Sequence, residues 1–252
     1  MVSGKFSADD ATKSAFAIVK FFREELAPLG FSDRKGTTIW RRTNLKFDVL
    51  KFDVIPRARS EKWRVPLGSF GLEPGCLFPF LPRAGHASTD GLQPDKGFGQ
   101  LRLSIRNAIS QRAVKAPKIW WAGDDEALQD VLDTINEKVL PFFHRFDDPE
   151  ELLRTFLEDE DAIGGDGVWE FGKKGSPKRL LYAGFAAIEC GKWDLALSNL
   201  KSCKEKIMGF PILVGQSLRA EYLPYIEEGL TCASNKSTWS IVQSAERIKP
   251  KA

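Results

Sequence analysis

The stretch Leu45–Val54 reads LKFDVLKFDV, which is the same five residues written twice in succession. A strand repeats its faces every two residues and a helix every 3.6, so a period of five matches neither. In an unbroken strand, the first copy would place its apolar side chains on one face and the second copy on the opposite face. Either helices cover both faces, or a β-bulge near Val49 turns both copies toward one core. We favour the bulge, because only one face then has to be buried.

The bulge also determines what the two carboxylates of the repeat can do. With a bulge, Asp48 and Asp53 would lie on one solvent-facing side, beside Lys46 and Lys51. Without it, they lie on opposite faces and cannot share a metal ion. A metal-dependent nuclease therefore needs the bulge, and ion pairs between neighbouring strands are the structural alternative.

The segments around the repeat predict an antiparallel sheet flanked by helices. Apolar residues at helical spacing predict a first helix that ends before Pro28 and Gly30. Four strand-like segments then follow without an intervening helical pattern, which favours antiparallel pairing. The segment Gly75–Gly97 predicts a long loop, since it is rich in glycine, proline and polar residues. The four predicted strands are Thr37–Thr43, Leu45–Ile55, Trp63–Leu72 and Phe98–Arg106.

The second half of the chain predicts helices. One begins at Asp124 and is limited by Pro141, and a shorter one runs from Asp148 to about Leu157. The next ten residues, EDEDAIGGDG, are acidic and then glycine-rich, as in a linker. We therefore predict an α+β fold, with a helix-flanked antiparallel sheet followed by a small all-α helical-hairpin domain. The predicted units are an α+β domain at 1–157, a linker at 158–176 and a hairpin domain at 177–252.

The hairpin domain is predicted from two helical segments, Lys178–Cys190 and Trp193–Ile207, on either side of Gly191. A single hairpin cannot bury its own apolar face, so it must pack on the following segment, on the first domain or on a partner. Its candidate residues for partner contact are Trp193, Leu197 and Lys201. The hairpin resembles one tetratricopeptide unit through Gly184, Gly191, Trp193, Ala196 and Leu200.

Residues 13–156 also resemble a known family. A helix ending in LGF, a basic RKGTTIWRR segment, a strand pair and a helix ending in VLPFF are similar to the bacterial family called domain of unknown function 4304. The resemblance implies an α+β fold and supplies no catalytic residue, since the family has no activity to carry over. It depends mainly on Gly30-Phe31, Lys35-Gly36, Trp40-Arg41 and Leu140–Phe143.

A search for catalytic motifs assigns no catalytic, cofactor-binding or metal-binding residue. The chain has two histidines, His86 and His144, which lie far apart in sequence. Its four cysteines form no C-x-x-C pair, which fits reduced thiols. The segment GVWEFGKK resembles a phosphate-binding loop, but Lys174 stands where Ser or Thr is needed. We therefore expect no cofactor and favour a non-enzymatic protein over an enzyme.

Charge is unevenly distributed along the chain. From Arg34 to Arg64, ten bases and three acids give +7, and from Asp124 to Asp166, fifteen acids and three bases give −12. Basic and aromatic residues interleave in the first segment, which is typical of surfaces that contact phosphates and stack bases. The acidic segment could neutralise this surface. The candidate surface for a nucleic acid or another partner consists of Arg41, Arg42, Lys46, Lys51, Arg57, Arg59, Lys62 and Arg64.

These observations rank three functions. The first is a non-enzymatic intracellular protein-interaction module, with an immunity, defence or adaptor role as its context. The second is a nucleic-acid-binding protein that uses the basic aromatic sheet, and the third is the metal-dependent nuclease. No apolar run approaches the length of a membrane span, so we expect a cytoplasmic protein without a membrane partner.

Overall fold

Helices on one face of an antiparallel sheet form the framework of the protein. The computed structural model describes residues 11–82, 100–103, 105, 118–158, 168–169 and 172–239. The strands in these ranges are β1 Asp33–Lys35, β2 Thr38–Arg42, β3 Phe47–Val54, β4 Ser69–Leu77, β5 Leu101–Leu103, β6 Ile119–Trp121 and β7 Val168–Trp169. The α-helices are α1 Ala11–Leu26, α2 Arg57–Trp63, α3 Asp125–Thr134, α4 Leu140–Arg145, α5 Pro149–Leu157, α6 Pro177–Glu189, α7 Trp193–Gly209 and α8 Ile212–Ser234.

All strand pairs in the described sheet are antiparallel, as predicted. Strands β1 to β4 pair in chain order. The far edge of β4 then pairs with β6 along its first half and with β5 along its second half, and β7 pairs with β5. The α+β class and the helices that follow the sheet are therefore confirmed. None of the described helices has the length and apolar composition needed to cross a bilayer.

Strand β3 carries the repeated motif without a bulge. Each residue from Phe47 to Val54 is opposite one residue of β4, and the pairing with β2 is equally regular. The predicted bulge near Val49 is therefore wrong. The prediction assumed that only one face of the sheet is buried. The sheet instead buries apolar side chains on both faces: Leu50 and Phe52 on one, Phe47 and Val49 on the other.

The two faces differ in what covers them. We call the face with Leu50 and Phe52 the helix-covered face, because α1 packs on it and Phe22 stacks on Phe52 with 5.0 Å between ring centroids. We call the opposite face the outer face. There, Phe47, Val49 and Leu77 form a separate small cluster, against which Trp40 packs.

The predicted strand Trp63–Leu72 is wrong in its first part. Trp63 is the last residue of α2, which begins at Arg57 and separates β3 from β4, and β4 begins only at Ser69. Helix formers such as arginine, alanine, glutamate and lysine predominate in α2, and Pro56 precedes it at the cap position. Strand β4 also includes the start of the predicted loop, through Leu77, whereas residues 83–99 with His86 lie outside the described residues.

The helix predicted to stop at Pro141 continues past it. After α3, a π-helical segment Ile135–Val139 leads directly into α4, where Pro141 is in the first turn. Proline is tolerated there because the wider π turn changes the backbone hydrogen-bond pattern where the missing N–H would otherwise be needed. The helix starting with Asp148 is confirmed as α5, and the Asp148 carboxylate accepts a hydrogen bond from the backbone N–H of Glu150.

The C-terminal helices α6, α7 and α8 pack side by side. Helices α6 and α7 approach closely at Gly184, where an added Cβ would lie 2.6 Å from Cγ of Leu200. Helix α8 also packs closely on Leu200, at Gly229, where an added Cβ would lie 2.9 Å from Cδ1 of Leu200. The hairpin thus packs on the segment that follows it. The tetratricopeptide resemblance stays a prediction.

The hairpin also packs on the first part of the chain. The buried Arg179 of α6 donates through Nε to the backbone oxygen of Phe156, at 2.6 Å, near the end of α5. Buried apolar residues of the sheet, of α5 and of α6–α8 form one continuous cluster. The domain boundary at 158–176 stays a prediction, since residues 159–167 and 170–171 lie outside the described residues.

Candidate functional site

Because the motif repeats every five residues, the charged side chains of its two copies lie on opposite faces of β3. Lys46 and Asp48 of the first copy lie on the helix-covered face, and the side chains of both are 0% exposed. Lys51 and Asp53 of the second copy lie on the outer face, where the Lys51 side chain is 37% exposed. Identical local sequences therefore occupy a buried and a solvent-accessible environment.

Lys46 is the centre of a buried ion network. Its Nζ donates to Oδ1 of Asp48 and, at 2.8 Å, to Oδ1 of Asp147. The same ammonium group lies 5.8 Å from the ring centroid of Phe143 in α4. Two carboxylates and an aromatic ring thus surround a lysine that was predicted to lie on the surface.

Arg41 completes the network from β2, where it lies opposite Asp48. Its Nε donates to Oδ2 of Asp48 at 2.8 Å, and its Nη1 donates to the backbone oxygen of Leu29 at 3.0 Å. Its guanidinium also lies 5.0 Å from the ring centroid of Phe31. With two cations, Arg41 and Lys46, and two carboxylates, the network has no net charge.

Asp147 reaches the network from the short connection between α4 and α5. The π-helical segment and α4 carry the chain to this point, and Phe143 of α4 is fully buried next to Lys46. On its exposed side, Oδ2 of Asp147 lies 3.1 Å from Nδ1 of His144. Asp147 therefore links the buried lysine to an exposed histidine.

The protonation equilibria follow from this geometry. Burial disfavours the charged form of Lys46, but the carboxylates of Asp48 and Asp147 outweigh this and raise its pKa. Burial opposes ionisation of Asp147 too, yet hydrogen bonds from Lys46 and His144 hold its pKa below the ordinary value. Burial, together with the charge of Asp48, raises the pKa of the Cys76 thiol well above its usual range. Lys46 thus stays an ammonium ion and Cys76 a neutral thiol.

These properties favour a structural role for the network. A nucleophilic lysine needs a lowered pKa and a nucleophilic cysteine needs a thiolate, and neither condition holds here. Asp48 and Asp53 point to opposite faces, and Asp53 pairs with Arg59 at 2.9 Å. In the described part of the chain, no group of three or more histidine, cysteine, aspartate or glutamate side chains is arranged to hold a metal ion.

The eight cations predicted to form one surface lie in different environments in the structure. Lys46 does not belong to the surface, because its side chain is fully buried, and this assignment is corrected. Lys46 is buried because the strand has no bulge, so its side chain lies on the helix-covered face. Arg41 also belongs to the buried network and contributes little to the surface, since its side chain is 15% exposed and pairs with Asp48.

The remaining six candidates lie outside the buried network. Lys51 pairs with Glu73 at 3.0 Å and Arg57 with Glu61 at 3.1 Å, so carboxylates neutralise part of the predicted basic surface. The others are Arg42, exposed above the Phe47 ring; Arg59, bonded to Asp53; and Lys62 and Arg64, exposed at the end of α2.

A concave groove lies between α5 and the start of α7. Its volume is about 530 Å³. Apolar side chains of Leu153, Leu157 and Leu195 line it, and Leu157 is 37% exposed. Four carboxylates and two cations border it, a net charge of −2: Asp148, Glu150, Glu151 and Glu158 against Arg154 and Lys192.

Ion pairs order the border of this groove. Lys192, which precedes α7, pairs with Glu150 of α5 and so links the two walls. Along α5, Arg154 donates to Glu158 at 2.6 Å through Nη1 and also pairs with Glu151. These pairs are solvent-accessible and individually weak, so a binding partner can replace them at small cost.

The hairpin candidates Trp193, Leu197 and Lys201 recur every four residues along α7. Trp193 and Leu197 are half-buried and pack against the core, while Lys201 is exposed. None of the three lines the groove. Their neighbours Lys192 and Leu195 do, because they lie on the side of α7 turned toward α5.

Sequence reasoning missed Asp147, the groove residues of α5 and the exposed Trp121. The sequence signal for Asp147 was weak, because it is one of fifteen acidic residues between Asp124 and Asp166 and nothing distinguishes it from the others. The signal for Trp121 was present in the pair Trp120-Trp121, because alternation in a strand turns one of two neighbours outward.

No family model, curated protein or solved structure matches the chain. The resemblance to domain of unknown function 4304 therefore stays a prediction.

Proposed function

We propose that the protein is a non-enzymatic protein-interaction module of the cytoplasm, and that it binds a segment of its partner in the groove between α5 and α7. The observation that supports this most is the composition of the groove. Exposed and half-buried leucines lie beside a border with an excess of carboxylates. Such a site fits an amphipathic segment better than a small polar substrate.

The border indicates the chemistry of the partner segment. A lysine or arginine of the partner would replace Lys192 beside Glu150, and an apolar side chain would cover Leu157. The apolar contact supplies affinity by removing leucine surface from water, and the carboxylates select basic over acidic segments. An immunity, defence or adaptor role is our hypothesis for the context of this interaction.

The experiment is affinity capture from a lysate of the native host, with quantitative mass spectrometry. Wild-type protein is compared with Leu157→Asp, which places a charge in the groove. Met208→Asp is the matched control, because Met208 is 52% exposed at the end of α7 and does not line the groove. We expect a captured protein that is lost with Leu157→Asp and kept with Met208→Asp.

Two results contradict the proposal. One is the absence of any protein captured above background by the wild type. The other is capture that Leu157→Asp leaves unchanged. Equal unfolding midpoints of the two variants serve as the control that a loss of capture reflects the groove.

Nucleic-acid binding is the second candidate, and the cationic end of α2 supports it. Arg57, Arg59, Lys62 and Arg64 against Glu61 give α2 and its cap a net charge of +3, next to the exposed Trp63. Binding of single-stranded DNA and RNA at two salt concentrations tests this, since phosphate contacts weaken steeply as salt rises. Replacing Lys62 and Arg64 by glutamine must then weaken binding, and unchanged affinity rejects this candidate.

A further inference from the structure

Two tryptophans are exposed on the outer face of the sheet. Trp121 is 44% exposed and Trp63 is 42% exposed. Strand alternation explains the first: in β6, Trp120 turns inward and donates to Oδ2 of Asp130 at 2.7 Å, so Trp121 turns outward. Exposed indole rings are unusual enough to require a reason, because tryptophan is enriched at binding surfaces.

The ring of Trp121 is held in place. Its Nε1 donates to the backbone oxygen of Leu67 at 3.0 Å. The ring also lies directly over Gly123, where an added Cβ would meet three ring atoms at 2.5 to 2.8 Å. Only glycine leaves room for this ring position, so the exposed indole is fixed before any partner arrives.

The ring of Trp63 is held as well, and on the same face. The Arg59 guanidinium lies 5.0 Å from its centroid, and Nη2 of Arg59 donates to Oδ1 of Asp53 at 2.9 Å. Asp53 projects from the outer face of β3, as Trp121 does from β6. Trp63 and Leu67 are four residues apart, so their Cα atoms are separated by at most about 14 Å. The two indoles therefore flank the start of β4.

Opposite charges border this tryptophan patch, which we define as Trp63, Trp121 and the turn at Leu67. On the α2 side, Lys62 and Arg64 are exposed. On the α3 side, Asp124 and Glu126 are exposed. Since β3 and β6 pair with opposite edges of β4, the basic and acidic borders lie on opposite sides of the patch.

We propose that the tryptophan patch binds a second copy of this chain in a two-fold symmetric dimer. In a two-fold interface the same surface meets itself. With the two-fold axis running between the two borders, the basic border of one protomer faces the acidic border of the other, twice. The apolar centre and charged rim match the anatomy of protein interfaces. Fixed indoles lose little conformational entropy on binding. Single-stranded nucleic acid fits less well, because the acidic border repels phosphates.

The first test is the molar mass of the full chain, measured by sedimentation equilibrium from about 1 to 100 μM, the range in which weak dimers form. We expect the mass to rise from one to two chains as concentration increases. Trp121→Ala must weaken the dimer at least about tenfold. Met208→Ala, which removes a similarly exposed apolar side chain elsewhere, must leave it unchanged.

The second test exchanges the charges. Lys62→Glu/Arg64→Glu makes both borders acidic, and Glu126→Lys opposes the basic border with a lysine. Each variant alone must dissociate at concentrations at which wild type is dimeric. An equimolar mixture must restore at least part of the dimer. One rim contact then pairs Lys62 and Arg64 of one variant with the unchanged acidic border of the other, and the second contact opposes the introduced glutamates with the introduced lysine. This rescue cannot arise from a folding defect.

Three results overturn the proposal: a wild-type chain that stays monomeric over the whole range, a dimer insensitive to Trp121→Ala, or a mixture of charge variants that stays monomeric. In the first case, binding of a single-stranded oligonucleotide by the monomer, lost with Trp121→Ala, would identify the patch as a nucleic-acid surface instead. None of these results affects capture through the groove, which tests the proposed function separately.

Discussion

Replacement of Asp48 by alanine removes the acceptor shared by the two cations of the buried network. Lys46 then keeps Asp147 as its only carboxylate partner in the described structure, and Arg41 keeps the backbone oxygen of Leu29. Loss of one member of a buried ion pair costs about 3–5 kcal/mol, because the other charge stays desolvated. A domain is stable by about 5–15 kcal/mol, so this one change removes about a fifth or more of a typical stability.

The repeated motif supplies the matched control for this prediction. Asp53 has the same neighbours in sequence, but its side chain and that of its partner Arg59 are about one-third exposed. Its replacement by alanine must cost about 0.2–1 kcal/mol, the range of exposed pairs. The assay is urea unfolding followed by circular dichroism, with free energies from linear extrapolation. We expect the Asp48 variant to be several-fold more destabilised than the Asp53 variant.

A double variant separates burial of charge from simple loss of packing. Lys46→Met/Asp48→Leu removes the two fully buried charges and fills their space with apolar side chains. Arg41 and Asp147 retain some solvent access, so we expect this variant to be less destabilised than Asp48→Ala. Equal destabilisation by Asp48→Ala and Asp53→Ala would refute the reasoning, since it would mean that the two motif copies occupy equivalent environments.

Three further predictions concern packing, thiol chemistry and acid. Gly184→Ala must destabilise by about 1–3 kcal/mol in urea unfolding, because its Cβ would overlap α7, whereas Gly209→Ala, with nothing within 4 Å, must be neutral or stabilising. Burial raises the pKa of the Cys203 thiol to about 12, so iodoacetamide near pH 8 must alkylate it on the order of 100-fold more slowly in the folded than in the urea-unfolded chain, and equal rates would contradict this. Burial opposes ionisation of Asp147 and Glu151, but hydrogen bonds from lysine, histidine and arginine lower both pKa values. Their stabilisation is therefore present above the ordinary values of 3.8 and 4.5 and is lost as pH falls through the folded pKa, so the urea midpoint must drop below about pH 4.

The helices and the antiparallel sheet could be predicted because local signals specify them. The cap residue Asp148 followed by Pro149 set the start of α5. The succession of strand-like segments without a recognised helical pattern between them predicted the antiparallel pairing. The position of Pro141 misled the prediction, since the π-helical segment that accommodates it has no clear sequence signal.

The candidate sites could be predicted only in part, because they depend on contacts between distant residues. Lys46 is buried by Asp147 and Phe143, which are far away in sequence. The absence of a bulge follows from Leu77 and Trp40, which give Phe47 and Val49 an apolar environment on the outer face. The groove arises only when α5 and α7 are brought together. A single sequence contains none of these distances.

The unbulged strand β3 buries the charged side chains of the first motif copy and exposes those of the second. Lysine acylation by a water-soluble reagent, mapped by mass spectrometry, tests it directly because the two lysines have identical sequence neighbours. In the folded protein, Lys51 must be modified and Lys46 must be protected, whereas both must react equally in denaturant. Modification of both lysines at similar rates in the folded state would contradict the claim, since a bulge that turns both copies outward would produce that result.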